Sequence, residues 1–490
     1  MPIDQAVPTS DRSRWIALYV LCVGMLMIVL DATIVNVALP SIQEDLGFSQ
    51  SSLAWVVNAY LISFGGLLLL SGRLGDLLGR RSVFLSGLAL FTTASMLCGL
   101  SQSQGLLVAA RFIQGVGGAL ASAVILGMIV TMFPEPREQA RAIGVYSFVA
   151  SAGASIGLLL GGLLTQGISW HWIFFVNVPI GVATGALAWR LVDHDKGLGL
   201  GEGADVAGAV LVTSSLMLGV YTIVKAADYG WGAFHTLGLG AVSLLLLAGF
   251  IAREATAKTP LMPLRLFRFR NVTGANAVEI LMVAGMFGMF FLGVLYLQRV
   301  LGYDAIETGV AFLPVSLTIG VLSLGFSPRL NMRFGAKATL IPGLILVIAG
   351  LALFARAPVD GSYAVDVLPT MFLLGIGAGL AFPSLMTLGM SGATQSDSGL
   401  ASGLVNTSLQ VGGALGLAVL ATLSTTRSQN LIDDGEGRLS ALTSGYHLAF
   451  VIGAALVGLA VVIATFVLQG NAQPQEAEEP APAELVSEVA

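Results

Sequence analysis

Runs of about twenty apolar residues recur along the chain and leave few alternatives for its fold. An α-helix needs about 20 apolar residues to cross a bilayer, and about fourteen such runs occur in this sequence. They lie near 16–39, 53–71, 82–100, 106–131, 142–165, 172–191, 206–224, 236–252, 272–297, 308–327, 338–356, 367–390, 399–424 and 447–468. Charged residues make up only 10% of the chain, against about 25% in soluble domains. The sequence therefore predicts an all-α polytopic membrane protein.

Lysine and arginine are unevenly distributed between these runs. With the N-terminus taken as cytoplasmic, 17 of the 23 basic residues fall in cytoplasmic segments and 5 in outer segments. The positive-inside rule then places both termini in the cytoplasm, in a multi-pass protein of the cytoplasmic (inner) membrane. We expect residues 1–15 to be a cytoplasmic N-terminus and residues 469–490 to be a disordered, acidic cytoplasmic tail.

Three stretches recur at nearly constant offsets of 256, 260 and 259 residues. The pairs are SGRLGDLLGRRS at 71–82 with SPRLNMRFGAKA at 327–338, Gly115-Val-Gly117 with Gly375-Ile-Gly377, and Gly144, Gly153 and Gly157 with Gly403, Gly412 and Gly416. Such a repeat predicts two six-helix halves, 16–191 and 272–468, with a binding site between them. Residues 192–271 are then a linker with two extra transmembrane helices, expected against lipid, and an interfacial segment.

The stretch LDATIVNVALP at 30–40 places an acid, Asp31, inside the first apolar run. A charge at mid-bilayer costs roughly 2.5–3.5 kcal/mol on insertion scales, so it is tolerated where the group faces water, a partner or a transported ion. We expect Asp31 to face an aqueous passage; the alternative is a neutral aspartate hydrogen-bonded to a neighbouring helix. Two further residues are predicted to act in proton coupling with Asp31. One is Glu279, a second acid in an apolar run, and the other is Arg111, for which a structural role is the alternative.

A short loop, GRLGDLLGRR at 72–81, separates the second and third runs. Its glycines permit a sharp, close-packed turn, and its aspartate can pair with the arginines. The loop is either a static clamp or a conformational latch that breaks when the halves rock, and we favour the latch. The latch residues are Gly72, Arg73, Gly75, Asp76, Gly79, Arg80 and Arg81.

Lone amides and a methionine and phenylalanine stripe within the runs are candidates for a substrate cavity. The predicted cavity residues are Asn58, Gln114, Met282, Met286, Phe290, Asn406 and Gln410. Interhelical hydrogen bonding is the alternative for the amides, and simple packing is the alternative for the stripe. Glycines at four-residue spacing predict a ridge for close helix packing, formed by Gly153, Gly157, Gly161 and Gly162.

Several motifs are absent from the sequence. It has no GxxxxGK[ST] phosphate-binding loop, no HExxH motif and no metal-ligand spacing. No basic patch for nucleic acid is present either. We therefore expect neither an enzyme nor a metal or cofactor site, and energy must come from an ion gradient or from the cargo's own gradient.

Together these features resemble the major facilitator superfamily, and within it the fourteen-transmembrane-helix drug:proton antiporter family of multidrug efflux type. The loop resembles the GxLaDrxGrk motif through Asp76, Arg80 and Arg81, and RFIQGVGGA resembles the fourth-helix RxxQGxGaa motif through Arg111 and Gln114. LDATIVNVALP resembles the first-helix motif, and SWHWIFFVNVPIG at 169–181 and PLMPLRLFRFRN at 260–271 are also similar. The chain departs from the pattern at Leu158, where the fifth-helix motif has proline, and at His171, where the tryptophan pair usually flanks arginine.

The resemblance implies a major facilitator fold, with the two halves related by pseudo-two-fold symmetry and two helices inserted. It also implies a proton-coupled exporter of hydrophobic or amphipathic compounds, such as antibiotics, that works by alternating access. The expected partners are a hydrophobic or cationic small molecule, protons and the lipid bilayer, without a cofactor, and we expect a monomer. The alternatives are an exporter of an endogenous lipid or secondary metabolite, and a non-transporting membrane scaffold or sensor.

Overall fold

The structure, a computed structural model, describes residues 11–193, 195, 197–199, 203–262, 264–391 and 398–469. The described residues form helices and connecting turns, without a β-strand among them. They include 13 helical segments that are long and apolar enough to cross a membrane. The predicted fifth run lies in a further long helix, Pro136–Gly167, whose described apolar stretch is Ile156–Gly167. The predicted all-α polytopic architecture is confirmed.

The first half consists of six spanning segments and short connecting helices. Its helices are α1 (Asp11–Leu46), α2 (Gln50–Leu53), α3 (Trp55–Leu78), α4 (Arg80–Gly99), α5 (Gln104–Met132), α6 (Pro136–Gly167), α7 (Trp172–Phe175) and α8 (Asn177–Leu191). We call the end where α3 meets α4 the predicted inner end, and the end where α5 begins and α6 ends the predicted outer end.

Two further spanning helices and a short 3₁₀ helix follow the first half. They are α9 (Val206–Tyr229), α10 (Phe234–Thr256) and the 3₁₀ turn Leu264–Arg268.

The second half again has six spanning segments. A π-helical turn at Leu322–Phe326 interrupts one of them, and another at Tyr363–Val367 begins a second. Its helices are α11 (Arg270–Arg299), α12 (Ala305–Ala311), α13 (Leu313–Val321), α14 (Ser327–Phe334), α15 (Ala336–Phe354), α16 (Leu368–Gly389), α17 (Ser398–Asp433) and α18 (Arg438–Phe466).

The two halves repeat the same packing. The main packed pairs of helices in the first half have counterparts in the second. The pairs are α1–α6 with α11–α17, α4–α5 with α15–α16, α3–α5 with α13–α16, α1–α8 with α11–α18, and α4–α8 with α15–α18. The equivalent glycines Gly79 and Gly335 end α3 and α14 with nearly the same backbone, at φ 90° and 89°. Because a side chain strains this region of φ, glycine is favoured at both turns. The internal repeat of the sequence is thus a repeat of structure.

Two seams join the halves. Along the first, α3 packs against α17, and a Cβ atom on Gly65 would lie 2.5 Å from the Cβ of Gln410. Along the second, α6 packs against α12 and α13. There, a Cβ on Gly162 would lie 2.6 Å from the carbonyl oxygen of Ala305. Small residues therefore let the backbones of the two halves approach closely.

The inserted helices take different positions. α10 packs on α9 and exposes apolar side chains such as Leu244 and Leu245, as expected of a helix against lipid. α9, however, also packs against α3 and α17. It therefore covers the first seam and touches both halves, which the sequence did not predict.

The glycine ridge of α6 packs on α1, the helix that carries Asp31. A Cβ on Gly161 would lie 2.7 Å from the carbonyl oxygen of Ile34, and one on Gly157 would lie 2.9 Å from that of Leu30. Gly144 of the same helix has nothing within 4 Å of its Cβ position. A backbone oxygen moves only with its helix, so the ridge fixes the separation of α6 and α1.

Gly161→Ala is therefore expected to destabilise the protein by about 1–3 kcal/mol, because the added methyl group forces α6 away from α1. The matched control is Gly144→Ala on the same helix, which should be neutral or slightly stabilising because alanine favours helix. Thermal unfolding of the detergent-purified variants measures the difference. Equal melting temperatures for the two variants would show that the ridge does not set this packing.

Candidate functional site

A fully buried polar cluster in the first half is centred on Asp31 of α1. Its carboxylate accepts hydrogen bonds from Arg111 Nη1 at 2.5 Å and from Gln114 Nε2 at 2.7 Å, both on α5. Asn177, at the start of α8, donates a third hydrogen bond at 2.9 Å. Asp31 is 0% exposed and Arg111 is 1% exposed. The cluster joins three spanning segments through one carboxylate.

The guanidinium group of Arg111 is held on several sides. Its Nε donates to the carbonyl oxygen of Val56 at 2.9 Å, and its Nη1 also donates to Gln114 Oε1 at 2.5 Å. The ring of Tyr60 lies beneath it, 4.4 Å from the ring centroid to Cζ. A buried ion pair is tolerated when further hydrogen bonds satisfy both partners, and that condition is met here.

Two members of the cluster were missed at the sequence level. Ser95 of α4 accepts a hydrogen bond from Gln114 Nε2 at 2.7 Å, and Asn177 contacts both Asp31 and Ser95. Asn177 stands within SWHWIFFVNVPIG, where an amide in an apolar run was the available signal. The hydroxyl group of Ser95 gave no signal, since serine is common in transmembrane helices.

The prediction that Asp31 faces an aqueous passage is wrong for this conformation. The side chain is enclosed by α5 and α8 and has no exposed surface. The alternative of a neutral aspartate bonded to a neighbouring helix also differs from the structure, because the principal partner is a cation. Arg111 and Gln114 lie within hydrogen-bonding reach and supply the compensation that water would otherwise give.

Glu279 of α11 lies in the other half and has a different environment. Its side chain is 3% exposed, and its Oε2 has no hydrogen-bond partner in the described part of the chain. No described lysine or arginine forms an ion pair with it. One turn earlier, Asn276 accepts a hydrogen bond from Ser408 of α17 at 2.7 Å. Glu279 is therefore a buried carboxyl group without a compensating cation.

The structure places the predicted amide residues of the cavity in different environments. Gln114 belongs to the Asp31 cluster, Gln410 lies at the first seam, and Asn406 is exposed on the same helix. Asn58 of α3 is buried, and both of its side-chain polar atoms have no partner among the described residues.

The methionine stripe is closed in this conformation. Met282 and Met286 are buried in the core, and Phe290 packs on Phe312 with ring centroids 5.6 Å apart. Met282 is fully buried and cannot line an open cavity here, because neighbouring helices cover it. Contact of this stripe with cargo stays a prediction.

The predicted latch loop is hydrogen-bonded to Asp195, a residue that the sequence did not indicate. Asp76 pairs with Arg80 at 3.1 Å, and Arg80 Nη1 donates to the carbonyl oxygen of Gly127 at 3.0 Å. Asp195, from the linker after α8, accepts hydrogen bonds from the backbone N–H groups of Arg80 at 2.7 Å and Arg81 at 3.1 Å. This carboxylate satisfies two of the free N–H groups that begin α4.

The remaining latch residues also contact the first half and the linker. Arg81 donates to the carbonyl oxygen of Trp189, and Arg73 Nε donates to that of Gly203 at 3.3 Å. Gly75 packs against Val124, whereas Gly72 has nothing within 4 Å of its Cβ position. In the described residues, the hydrogen bonds of Asp76, Arg80 and Arg81 do not reach the second half. A latch between the halves stays a prediction.

At the predicted outer end, hydrogen bonds connect the two halves. Gln166 of α6 donates to Asp304 Oδ2 at 3.0 Å, and its Oε1 accepts from the backbone N–H of Ile306 at 3.3 Å. Gln298 of α11 donates to the carbonyl oxygen of Val37 at 3.1 Å. These contacts hold the halves together at this end, around a pocket of about 290 Å³.

Asp304 keeps its charge over the physiological pH range. The backbone N–H of Glu307 and then the side chain of Gln166 hydrogen-bond its carboxylate and lower its pKa below the ordinary value. For a lowered pKa, the stabilising contribution is present above the ordinary pKa and is lost as pH falls below it. The bond to Gln166 therefore does not depend on pH between 5 and 8.

With this geometry established, comparison with known proteins decides the family. The family model of the Major Facilitator Superfamily matches residues 21–417. The chain belongs to the Major Facilitator Superfamily. The predicted family is confirmed, and membership makes this chain a multi-pass integral membrane protein of a transporter family rather than an enzyme.

Relatives within the superfamily include proteins named for antibiotic resistance and export. The chain is 37% identical to the puromycin resistance protein pur8 of Streptomyces alboniger over 93% of this chain and 92% of that protein. It is also 37% identical to the cephamycin export protein CmcT of Amycolatopsis lactamdurans, over 93% of both chains. Identity to the multidrug resistance protein Stp of Mycobacterium tuberculosis is 32%, over 84% and 76%. These names are consistent with the drug:proton antiporter family.

A solved structure shares the fold. It is a bacterial homolog of the human lysosomal transporter Spinster, with a TM-score of 0.67 and 17% sequence identity, covering 93% of this chain and 97% of that chain. The major facilitator fold predicted from the sequence is confirmed.

Asp31→Asn is expected to destabilise this superfamily member by about 3–5 kcal/mol, because it leaves the Arg111 charge buried without its partner. The double variant Asp31→Asn/Arg111→Gln removes both charges and should recover part of the loss. Asp228→Asn is the matched control. It breaks an exposed ion pair with Lys225 and should cost at most about 1 kcal/mol. Thermal unfolding in detergent measures all three; a double variant no more stable than Asp31→Asn would contradict the pairing.

Gln166→Ala is expected to favour separation of the halves at the predicted outer end by roughly 1–3 kcal/mol, since two hydrogen bonds between them are lost. Distances between spin labels on α6 and α12 should lengthen or broaden, equally at pH 5 and pH 8. The control is Gln104→Ala, because that glutamine bonds to Leu46 and Gly47 within the first half. Unchanged distances in Gln166→Ala would show that the contact does not hold the halves.

Proposed function

We propose that this protein is a proton-coupled efflux transporter that exports hydrophobic or amphipathic small molecules across the cytoplasmic membrane by alternating access. Relatives named for puromycin resistance, cephamycin export and multidrug resistance support the efflux of small molecules. Proton coupling is supported by the two buried acids. The distribution of basic residues in the sequence supports cytoplasmic termini.

The observation that carries the proposal is the difference between the two acids. Asp31 is paired with Arg111, whereas Glu279 is buried and forms no ion pair in the part of the chain that the structure describes. An isolated carboxylate in apolar surroundings costs several kcal/mol or more, and binding of a proton removes that cost. Glu279 is therefore the group that holds a proton in this conformation, and it releases the proton when a change of conformation admits water.

The Asp31 cluster has a complementary role in this mechanism. Arg111, together with Gln114 and Asn177, occupies the Asp31 carboxylate with hydrogen bonds while the site is closed. A proton or cationic cargo that reaches Asp31 after the halves open would compete with Arg111 for the carboxylate. Such competition would couple the position of α5 to the binding of a proton or cargo at Asp31, because Arg111 and Gln114 belong to α5.

The seams between the halves allow the rocking that alternating access requires. Small residues bring the backbones together at Gly65 and Gly162, and the hydrogen bonds of Gln166 and Gln298 close the predicted outer end. The backbone of α6 also approaches α12 closely at Leu158, where the family pattern has proline. A Cβ atom on Gly309 of α12 would lie 2.6 Å from the carbonyl oxygen of Leu158.

The energy available from protons is sufficient for export. One proton that crosses a potential of 100 mV supplies about 2.3 kcal/mol, and one unit of pH difference adds about 1.4 kcal/mol. A total of about 3.7 kcal/mol sustains a cargo gradient of about a few hundredfold. Such a gradient accounts for resistance to a toxic compound without ATP.

Glu279→Gln is expected to abolish proton-driven transport while leaving the fold intact, because glutamine has the shape of the protonated acid but cannot release a proton. In inside-out vesicles, proton-driven cargo uptake should fall to background, whereas exchange of labelled for unlabelled cargo should persist. Glu436→Gln, which changes an exposed acid of the same half, should transport normally. Proton-driven uptake that survives in Glu279→Gln would overturn the assignment.

A second candidate is export of an endogenous lipid or secondary metabolite by the same mechanism. Relatives named a cephamycin export protein and a probable actinorhodin transporter favour it over a purely defensive role. Comparison of the metabolites retained by a deletion strain with those of its parent distinguishes the two. A non-transporting scaffold or sensor would show no flux with any compound in proteoliposomes.

A further inference from the structure

An apolar groove runs between α1 and α8 on the outside of the first half. It has a volume of about 540 Å³ and is lined by Ile16, Tyr19, Val23, Ile180 and Leu187, among others. Several of the side chains that line the groove are apolar and exposed, and Tyr19 is 54% exposed. In a membrane protein, a surface of this composition faces lipid. At 1.5 Å per residue, the groove extends about 12 Å along α8 from Pro179 to Leu187.

The groove lies away from the transport machinery. The seams between the halves are formed by α3 with α17 and by α6 with α12 and α13, whereas α1 and α8 pack together within the first half. The Asp31 cluster is buried inside the first half. The occupant of the groove therefore comes from the membrane and is distinct from the cargo between the halves.

Two arginines stand at one end of the groove. Arg12 precedes Ile16 by four residues on α1, and Arg190 follows Leu187 by three residues on α8. Residues three or four apart on a helix share a face, so both arginines lie on the groove-lining faces of their helices, at the predicted inner end. Neither makes a hydrogen bond or ion pair within the described residues, and both are exposed. A third cation, Arg81, lies over the Trp189 ring at 5.4 Å.

The remaining side chains place this end at the membrane interface. Trp189 is exposed beside Arg190, and tryptophan is enriched where acyl chains meet headgroups. The site thus combines an apolar slot at acyl-chain depth with free positive charges at headgroup depth. Basic pockets of this kind between transmembrane helices bind anionic headgroups.

We propose that the α1–α8 groove is a binding site for one anionic phospholipid, whose acyl chain lies in the groove and whose phosphate is bound by Arg12 and Arg190. The charge complementarity excludes a neutral ligand as the preferred occupant. A zwitterionic phospholipid fits the apolar slot equally well, but its ammonium group opposes the two arginines. The site would tie the first half to the anionic leaflet while the halves rock.

Native mass spectrometry of the detergent-purified, delipidated chain tests the site, with palmitoyl-oleoyl phosphatidylglycerol and the matching phosphatidylcholine as probes. We expect one tightly bound phosphatidylglycerol. Arg12→Ala/Arg190→Ala should weaken its binding by about thirtyfold, because each arginine near an anionic headgroup contributes about a fivefold gain. Ala183→Phe, which fills the groove and leaves the charges in place, should also remove the tightly bound lipid.

The matched control is Arg137→Ala/Arg333→Ala, which removes two exposed charges from the same end of the bundle. It should bind phosphatidylglycerol like the parent protein. Equal loss in both double variants, or equal binding of the two lipids by the parent, would overturn the site. The measurement does not depend on transport, so its outcome is separate from that of the Glu279→Gln experiment.

Discussion

A carboxylate and a guanidinium group can share the interior of a membrane protein only when each compensates the other's charge. The pairing of Asp31 with Arg111 meets this condition, with hydrogen bonds from Gln114 and Asn177 and the Tyr60 ring satisfying the remaining polar surface. Removal of one partner leaves a buried charge whose cost exceeds that of most single contacts. The pair therefore fixes α1, α5 and α8 relative to one another, and the rest of the first half is built around that arrangement.

The second half repeats the helix packing without repeating this chemistry. The same pairs of helices pack in both halves, yet no described lysine or arginine forms an ion pair with Glu279. One half thus holds a charge-balanced cluster, and the other holds a buried acid that forms no ion pair among the described residues. In the proposed mechanism, this asymmetry separates Asp31, which is paired in the closed conformation, from Glu279, which exchanges a proton.

The linker between the halves connects them and also packs against both. Asp195 binds the backbone at the start of α4, and α9 covers the seam between α3 and α17. A segment outside the internal repeat therefore touches both the predicted latch loop and the contact between the halves.

The sequence by itself determined the helices, their repeat and the family, because a bilayer admits few alternatives to long apolar helices and because motifs such as GRLGDLLGRR are local in the chain. It also indicated that Asp31, Arg111 and Glu279 matter, since a charge in an apolar run has few neutral explanations. Only the tertiary structure decided what each charge contacts. The distance from Asp31 to Arg111, the isolation of Glu279, the burial of Met282 and the capping of α4 by Asp195 all depend on side chains far apart in sequence. No local pattern encodes which helix face meets which, so Asp31 was expected in water and is found in an ion pair.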